Sequence, residues 1–248
     1  MDFKSIEYRN TEHIGWIRVA QEPVDQSGLE DLVYEMSDAC AAIGSDNAVW
    51  VVVLTGVEKI SFLPAVDVKG NLSSLSLTGP LAGIVKPLIA GINGDVIGLG
   101  LEVILACDIR IASEQSRFGS NHLERGRIPC EGGTQRLSRL VGKGKALEML
   151  LTGNIIDSQE AYRIGLINRI AKGRDLDDII MDIALEMASK SPIALNYAKE
   201  TIQAGMDMTL EQGLRLEADL YMLMHTSSDR TEGIRAFQGK RTPRFQGK

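Results

Sequence analysis

The sequence predicts an α/β fold in which short buried strands alternate with amphipathic helices, and three observations carry that prediction. Ala48–Thr55 is a continuous, largely β-branched apolar run closed by Gly56, the pattern of a strand buried on both faces. Before it, Leu29, Leu32, Val33, Met36, Ala39 and Cys40 fall on one face of a helix. After it, Leu88–Ile92 repeats the buried strand, so strand, helix and strand follow as right-handed crossover units.

Taken in order, Phe3–Arg9 and Ile14–Ala20 alternate apolar and polar positions around Asn10–His13, which predicts an antiparallel hairpin with His13 as a turn residue. Ser27-Gly-Leu-Glu30 has the capping-box pattern and opens the first helix. Lys59–Lys69 is interrupted by Pro64 and carries Asp67 among apolar neighbours, a loop at a sheet edge. Residues 70–79 are small and polar, suited to a lid or to a plain linker. Asp108–Ser113 reads as a strand, and Arg117-Phe-Gly119 begins a loop bearing His122, Glu124, Arg127 and Glu131. Helices are predicted over Thr134–Val141 and Lys143–Leu151, and a third from Asp157-Ser-Gln-Glu160 to Gly165. A strand follows at Leu166–Ala171. Beyond Asp175 the chain is helical: one segment to about Lys190, one from Ser191-Pro192, one from Thr209-Leu-Glu-Gln212 and a short one from Asp229 to about Phe237. A basic tail at Lys240–Arg244 comes last.

Composition narrows the function classes. With 248 residues, 44% apolar and 24% charged, the chain can bury a substantial core as one large domain or a domain with an appendage. A net charge of −6 argues against a general nucleic-acid binder, which needs a basic surface. Cys40, Cys107 and Cys130 are odd in number, widely spaced and form no Cys-x-x-Cys. They suit reduced thiols in a cytoplasmic protein better than disulfides or a metal site. No apolar run approaches membrane-spanning length, and the first residues lack a signal peptide's apolar core.

The chemistry is expected around Lys86–Asp108. The strand Leu88–Ile92 turns at Asn93-Gly94, and a Gly-rich bend at Gly98-Leu99-Gly100 opens an apolar helix. Glycines let a ligand approach the backbone, while the first N–H groups of the helix lack intrahelical partners and point outward with the positive end of the dipole. Glu102 lies three positions after Leu99, one turn from those donors. Two readings stand side by side: an oxyanion donor next to a candidate acid/base, or a first-turn glutamate that complements the dipole. A dinucleotide-binding fingerprint fails, because its third glycine would fall at Val103.

Several motifs follow one another in a family's order. Lys86-Pro-Leu-Ile-Ala-Gly-Ile-Asn-Gly, Gly98-Leu-Gly-Leu-Glu-Val, Cys107-Asp-Ile-Arg-Ile-Ala, Phe118-Gly, Ile128-Pro-x-x-Gly-Gly-Thr-Gln-Arg-Leu137, Leu151-Thr-Gly153 and Ala161-x-x-x-Gly-Leu166 together resemble the crotonase (enoyl-CoA hydratase/isomerase) superfamily over nearly the whole chain. The resemblance implies a spiral of β-β-α units with two roughly perpendicular sheets over residues 1–190. It also implies a helical region, 191–248, used for trimerisation and often for a dimer of trimers. The implied substrate is an acyl thioester of coenzyme A, with no separate cofactor and no metal. The implied chemistry is an enolate held by two backbone N–H groups, which fall on Val66 and Leu99; each such donor typically contributes a factor of about a hundred to a thousand in rate.

Departures from the family pattern sharpen the expectation. Pro64-Ala65-Val66-Asp67 stands where the family usually has Ala-Gly-Ala-Asp, and Leu99 stands where it has glycine. Of the two glutamates a hydratase of this family uses, the first matches Glu102, but the second matches His122. An imidazole exchanges protons near neutral pH, so the acid/base pair is altered and not necessarily lost; the ordinary alternative is a loop histidine. Glu124 and Glu131 are nearby carboxylates, with Glu131 preferred for its place beside Gly132-Gly133. Coenzyme A is expected along Ala65, Val66, Asp67 and Val68, and Lys240 and Arg241 resemble the tail residues that meet its phosphates from a neighbouring subunit; a solvated basic terminus is the other reading. Three functions follow in order: enoyl-CoA hydration; an isomerase or β-diketone-type C–C hydrolase using His122; a non-catalytic acyl-CoA-binding protein.

Overall fold

A computed structural model describes residues 3–20, 26–56, 62–63, 76–173 and 175–248. The predicted loop at 64–70, with Ala65, Val66, Asp67 and Val68, lies outside the described residues, as does most of the 70–79 segment.

Strands β1 (Ile6–Thr11) and β2 (Ile14–Val19) form the predicted antiparallel hairpin, with Glu12 and His13 both at positive φ in its tight turn. The His13 ring stacks on Trp50 at 3.9 Å, which seats the turn. Helix α1 (Gln26–Ser45) begins one residue before Ser27, so that serine lies inside the helix and is not its cap. β3 (Val51–Thr55) and β4 (Leu88–Ile92) run parallel to β2, followed by β6 (Ile109–Ser113) and β9 (Arg169–Ala171). The order in this six-stranded sheet is β1-β2-β3-β4-β6-β9. Its inner strands are buried on both faces: Val52, Leu54, Leu88 and Ala90 join the main core with α1. Val51, Val53 and Ile89 join a second cluster under helix α7 (Leu176–Ala188). That double burial is why β3 and β4 read as unbroken apolar runs.

None of the strands of a second, three-stranded sheet was expected from the residue pattern. β5 (Val96–Ile97) pairs with β7 (Arg117–Gly119), which pairs with β8 (Ile156–Asp157). Arg117–Gly119 is therefore a strand and not the start of a loop; strands of two or three residues are too short to show a period. Between the strands along the chain come α2 (Thr78–Ala82), α3 (Leu99–Leu105), α4 (Gly133–Val141), α5 (Lys143–Thr152) and α6 (Ser158–Arg163), the last capped by Asp157 as predicted.

The helical end follows its caps. α7 is capped by Asp175, α8 (Pro192–Gly205) by Ser191 with proline in its first turn, and α9 (Leu210–Met224) by a complete Thr209–Gln212 capping box. α10 (Ser228–Gln238) is capped by Ser227. α8 is tied to the sheet by Lys199, whose ammonium reaches Asp108 Oδ2 at 2.7 Å and the Lys86 carbonyl at 2.9 Å. The tail is held by Asp229, which is 1% exposed and accepts hydrogen bonds from Ser191 Oγ and from the N–H groups of Gln246 and Gly247.

Candidate active site

The bend before α3 organises the site. Gly98 adopts φ +65°, ψ −120°, a conformation open to glycine alone, and a Cβ there would stand 2.7 Å from Asn121 Oδ1. The glycine thus serves both the turn and the close approach of residues 121 and 122. α3 starts immediately, and the Leu99 N–H finds no acceptor among the described residues. The Leu99 side chain packs against the main core. Leu63, the last described residue before the predicted first-donor loop, lies over Gly100.

Glu102 is 1% exposed, and its two oxygens are treated differently. Oε1 accepts the N–H groups of Glu131 at 2.7 Å and Gly133 at 2.9 Å. Oε2 makes no hydrogen bond, although His122 Nε2 lies only 3.1 Å away: the ring approaches as a charge partner without hydrogen-bond alignment. The carboxylate can come this close to the backbone because residue 133 is glycine, where a Cβ would stand 3.0 Å from both Cγ and Oε1 of Glu102. Leaving a buried carboxylate oxygen unsatisfied costs about 1–3 kcal/mol or more, so such an atom calls for an explanation.

His122 stands at the start of a 3-10 turn, Leu123–Arg125, with its side chain 14% exposed. Nδ1 is 3.0 Å from Ser120 Oγ. The fold therefore brings Leu99, Glu102 and His122 to one place, across two chain segments joined by the β5–β7 pairing.

Glu131 is placed otherwise than expected. Its backbone N–H reaches Glu102, but its carboxylate faces away: Oε2 accepts from Ser76 Oγ, Thr78 N and Thr78 Oγ1 at 2.8, 3.0 and 2.8 Å. Arg136 reinforces the joint through the Glu131 carbonyl and Thr78 Oγ1. Glu124 is exposed and lies beside Gly153. The Cys130 thiol, exposed next to this cluster, is pushed up by partial burial and by the charges of Glu102 and Glu131. At the tail, Arg241 is spent on a two-pronged pair with Glu232 at 2.6 and 2.8 Å, whereas the exposed Lys240 makes no side-chain bond among the described residues.

A model of the enoyl-CoA hydratase/isomerase family matches residues 14–248. The chain belongs to this family. Among its enoyl-CoA hydratase relatives, the crotonyl-CoA hydratase of Syntrophomonas wolfei is 35% identical over 231 residues, 88% of this chain and 89% of that protein. The 2,3-dehydroadipyl-CoA hydratase of Escherichia coli is 36% identical over 241 residues, 91% of this chain and 92% of that one. The crystal structure of the enoyl-CoA hydratase from Bacillus anthracis superposes with a TM-score of 0.90 at 33% identity, covering 99% of this chain and 100% of its own. The chain thus has the crotonase fold, and the two-sheet architecture is the one the motifs implied.

The backbone donors of Glu131 and Gly133 and the hydroxyl of Ser120 escaped the sequence reading. Ser120 carried only its closeness in the chain to His122 as a signal. The donors to Glu102 carried none, because any residue type supplies an N–H.

Proposed function

We propose that the protein hydrates the α,β double bond of an acyl-CoA thioester, with Glu102 and His122 as its proton-handling pair. The thioester oxygen is held by the Leu99 N–H and the Val66 N–H, which stabilise the enolate. Water bound at Glu102 Oε2 adds to the β-carbon and gives its proton to that oxygen. The enolate then takes a proton at the α-carbon from the His122 imidazolium, which is left as the neutral ring. Proton transfer from Glu102 back to His122, across 3.1 Å, restores both groups.

The observation that carries this reading is the idle, buried Oε2 of a carboxylate whose other oxygen is fixed by two backbone donors. The same atom weighs against a non-catalytic binding protein, since a binding role gives no reason to keep a buried acceptor empty. Lys240 is the better candidate for the phosphates of coenzyme A, because Glu232 occupies the fork of Arg241. Ile202, Met206, Leu210, Leu214, Tyr221 and Met222 on α8, α9 and the turn between them are exposed, which supports self-association through the helical end. No helix of the structure is long and apolar enough to cross a membrane, among the described residues.

The test is hydration of crotonyl-CoA, followed by loss of the enoyl thioester absorbance, alongside a panel of β-diketones and double-bond isomers. Wild type is expected to hydrate the thioester, and Glu102→Gln to lose about a hundredfold or more while still binding a saturated acyl-CoA. Full turnover by the glutamine variant would remove the mechanism.

A further inference from the structure

We infer that Ser120 is a positioning residue that fixes the ring of His122 and sets which of its nitrogens carries the proton. Ser120 is 2% exposed, and its Oγ lies 3.0 Å from Nδ1, the nitrogen that does not face Glu102. Nε2 stands 3.1 Å from Glu102 Oε2. Although Nε2 and Oε2 are not aligned for a hydrogen bond, the carboxylate's charge favours an N–H over a lone pair at 3.1 Å, so the neutral ring carries its proton on Nε2 and presents the Nδ1 lone pair to the serine hydroxyl, which donates. When the ring takes up a second proton, Nδ1 becomes a donor, and the same hydroxyl turns to accept. A hydroxyl alone among these roles works in both states: a carboxylate at Nδ1 would hold only the donor form, and an apolar side chain neither.

The surroundings leave the ring few other supports. Its Cε1 would lie 3.9 Å from a Cβ at Gly98, so the glycine bend offers it a flat face and no hydrogen bond. Ser120 itself is no candidate nucleophile, being buried and bonded to the ring nitrogen remote from Glu102. Ser120 follows β7 directly, which ends at Gly119, and precedes the 3-10 turn that His122 opens.

This inference rests on the reading of His122 as a proton carrier, but its first test does not. The chain has three histidines, so long-range ¹H–¹⁵N spectra of the resting protein resolve each ring, with His13 and His225 as internal standards. At a pH high enough to neutralise the ring, wild type is expected to show His122 protonated at Nε2, with Nδ1 as a hydrogen-bonded acceptor. Ser120→Ala is expected to shift the His122 nitrogens toward a tautomer average and leave those of His13 and His225 in place. In turnover it should lower kcat about tenfold with KM within about twofold, and move the limb of the pH profile due to His122. Ser120→Cys, nearly the same shape with a weak hydrogen bond, guards against a folding defect and should fall between the two. A wild-type ring protonated at Nδ1, or nitrogen shifts and pH profile unchanged in both variants, would overturn the proposal. If the spectra behave as expected and no thioester is hydrated, the hydratase reading fails and the anchoring of the ring by Ser120 stands.

Discussion

Glu102 and Glu131 are the same residue type, both buried, and joined by a hydrogen bond from the backbone of one to the carboxylate of the other. Yet the protein uses them in opposite ways. One oxygen of the Glu131 carboxylate, Oε2, takes three donors from Ser76 and Thr78 and holds the start of α2 against the turn that precedes α4. The Glu102 carboxylate is filled on one oxygen and idle on the other. A carboxylate oxygen met by three donors of its own chain is part of the frame, whereas a buried oxygen that accepts no hydrogen bond is free to hold water or a proton. The difference lies in the count of donors around each oxygen, and neither residue type nor burial reveals it.

The contrast can be broken most directly by amide substitution. Glu102→Gln keeps an oxygen for the two backbone donors, so it is expected to cost two to four orders of magnitude in turnover while stability stays within about 1 kcal/mol of wild type. Paired rate and urea-unfolding measurements read both, and a stability loss larger than the rate loss would reverse the assignment of roles. Glu131→Ala should do the opposite: leaving the Thr78 N–H and two hydroxyls without their acceptor is expected to cost about 2–3 kcal/mol in urea unfolding, with a smaller loss of kcat. Equal effects on both measurements would erase the distinction.

Gly133→Ala tests whether the cradle or the carboxylate is the fixed partner. Its Cβ would press on Glu102 and on Pro129, and we expect about 1–2 kcal/mol of destabilisation together with about a tenfold loss of turnover. A stability loss with unchanged kcat would mean that the carboxylate reaches its place without those two N–H groups. The smallest effect concerns a third, half-buried carboxylate. Glu232 is held down to about 2, chiefly by the Arg241 guanidinium and also by the Arg244 N–H. Its folded value lies below the ordinary 4.5, so its contribution is complete above about pH 4.5 and is lost as pH falls toward 2. The stability difference between wild type and Arg241→Ala, followed through an acid titration, should therefore be flat above pH 4.5 and shrink below it. A difference that grows on acidification would contradict the pair.

Much of the framework was legible. Leu88–Ile92 coincides with β4, Thr209-Leu-Glu-Gln212 with the box that opens α9, and Ser191-Pro192 with the start of α8. The bend at Gly98 and the helix after it appear where the glycines placed them. The misses share one cause. β7 and β8 hold three and two residues, and they exist as strands because β5 pairs with β7 and β7 with β8. Ser27 looked like a cap, but the helix starts earlier at Gln26.

The sequence by itself determined what is decided within a turn or two of chain: where helices begin, which strands are buried on both faces, and that Leu99 and Glu102 share one end of one helix. It also placed His122, through motif spacing, in the position where a second carboxylate is usual. Only the tertiary structure decided which glutamate has an oxygen to spare, because the donors that fill Glu102 come from 29 and 31 residues away and those that fill Glu131 from 53 and 55. Hydrogen-bond capacity is a local property of a side chain. Its satisfaction belongs to whatever the fold brings within 3 Å.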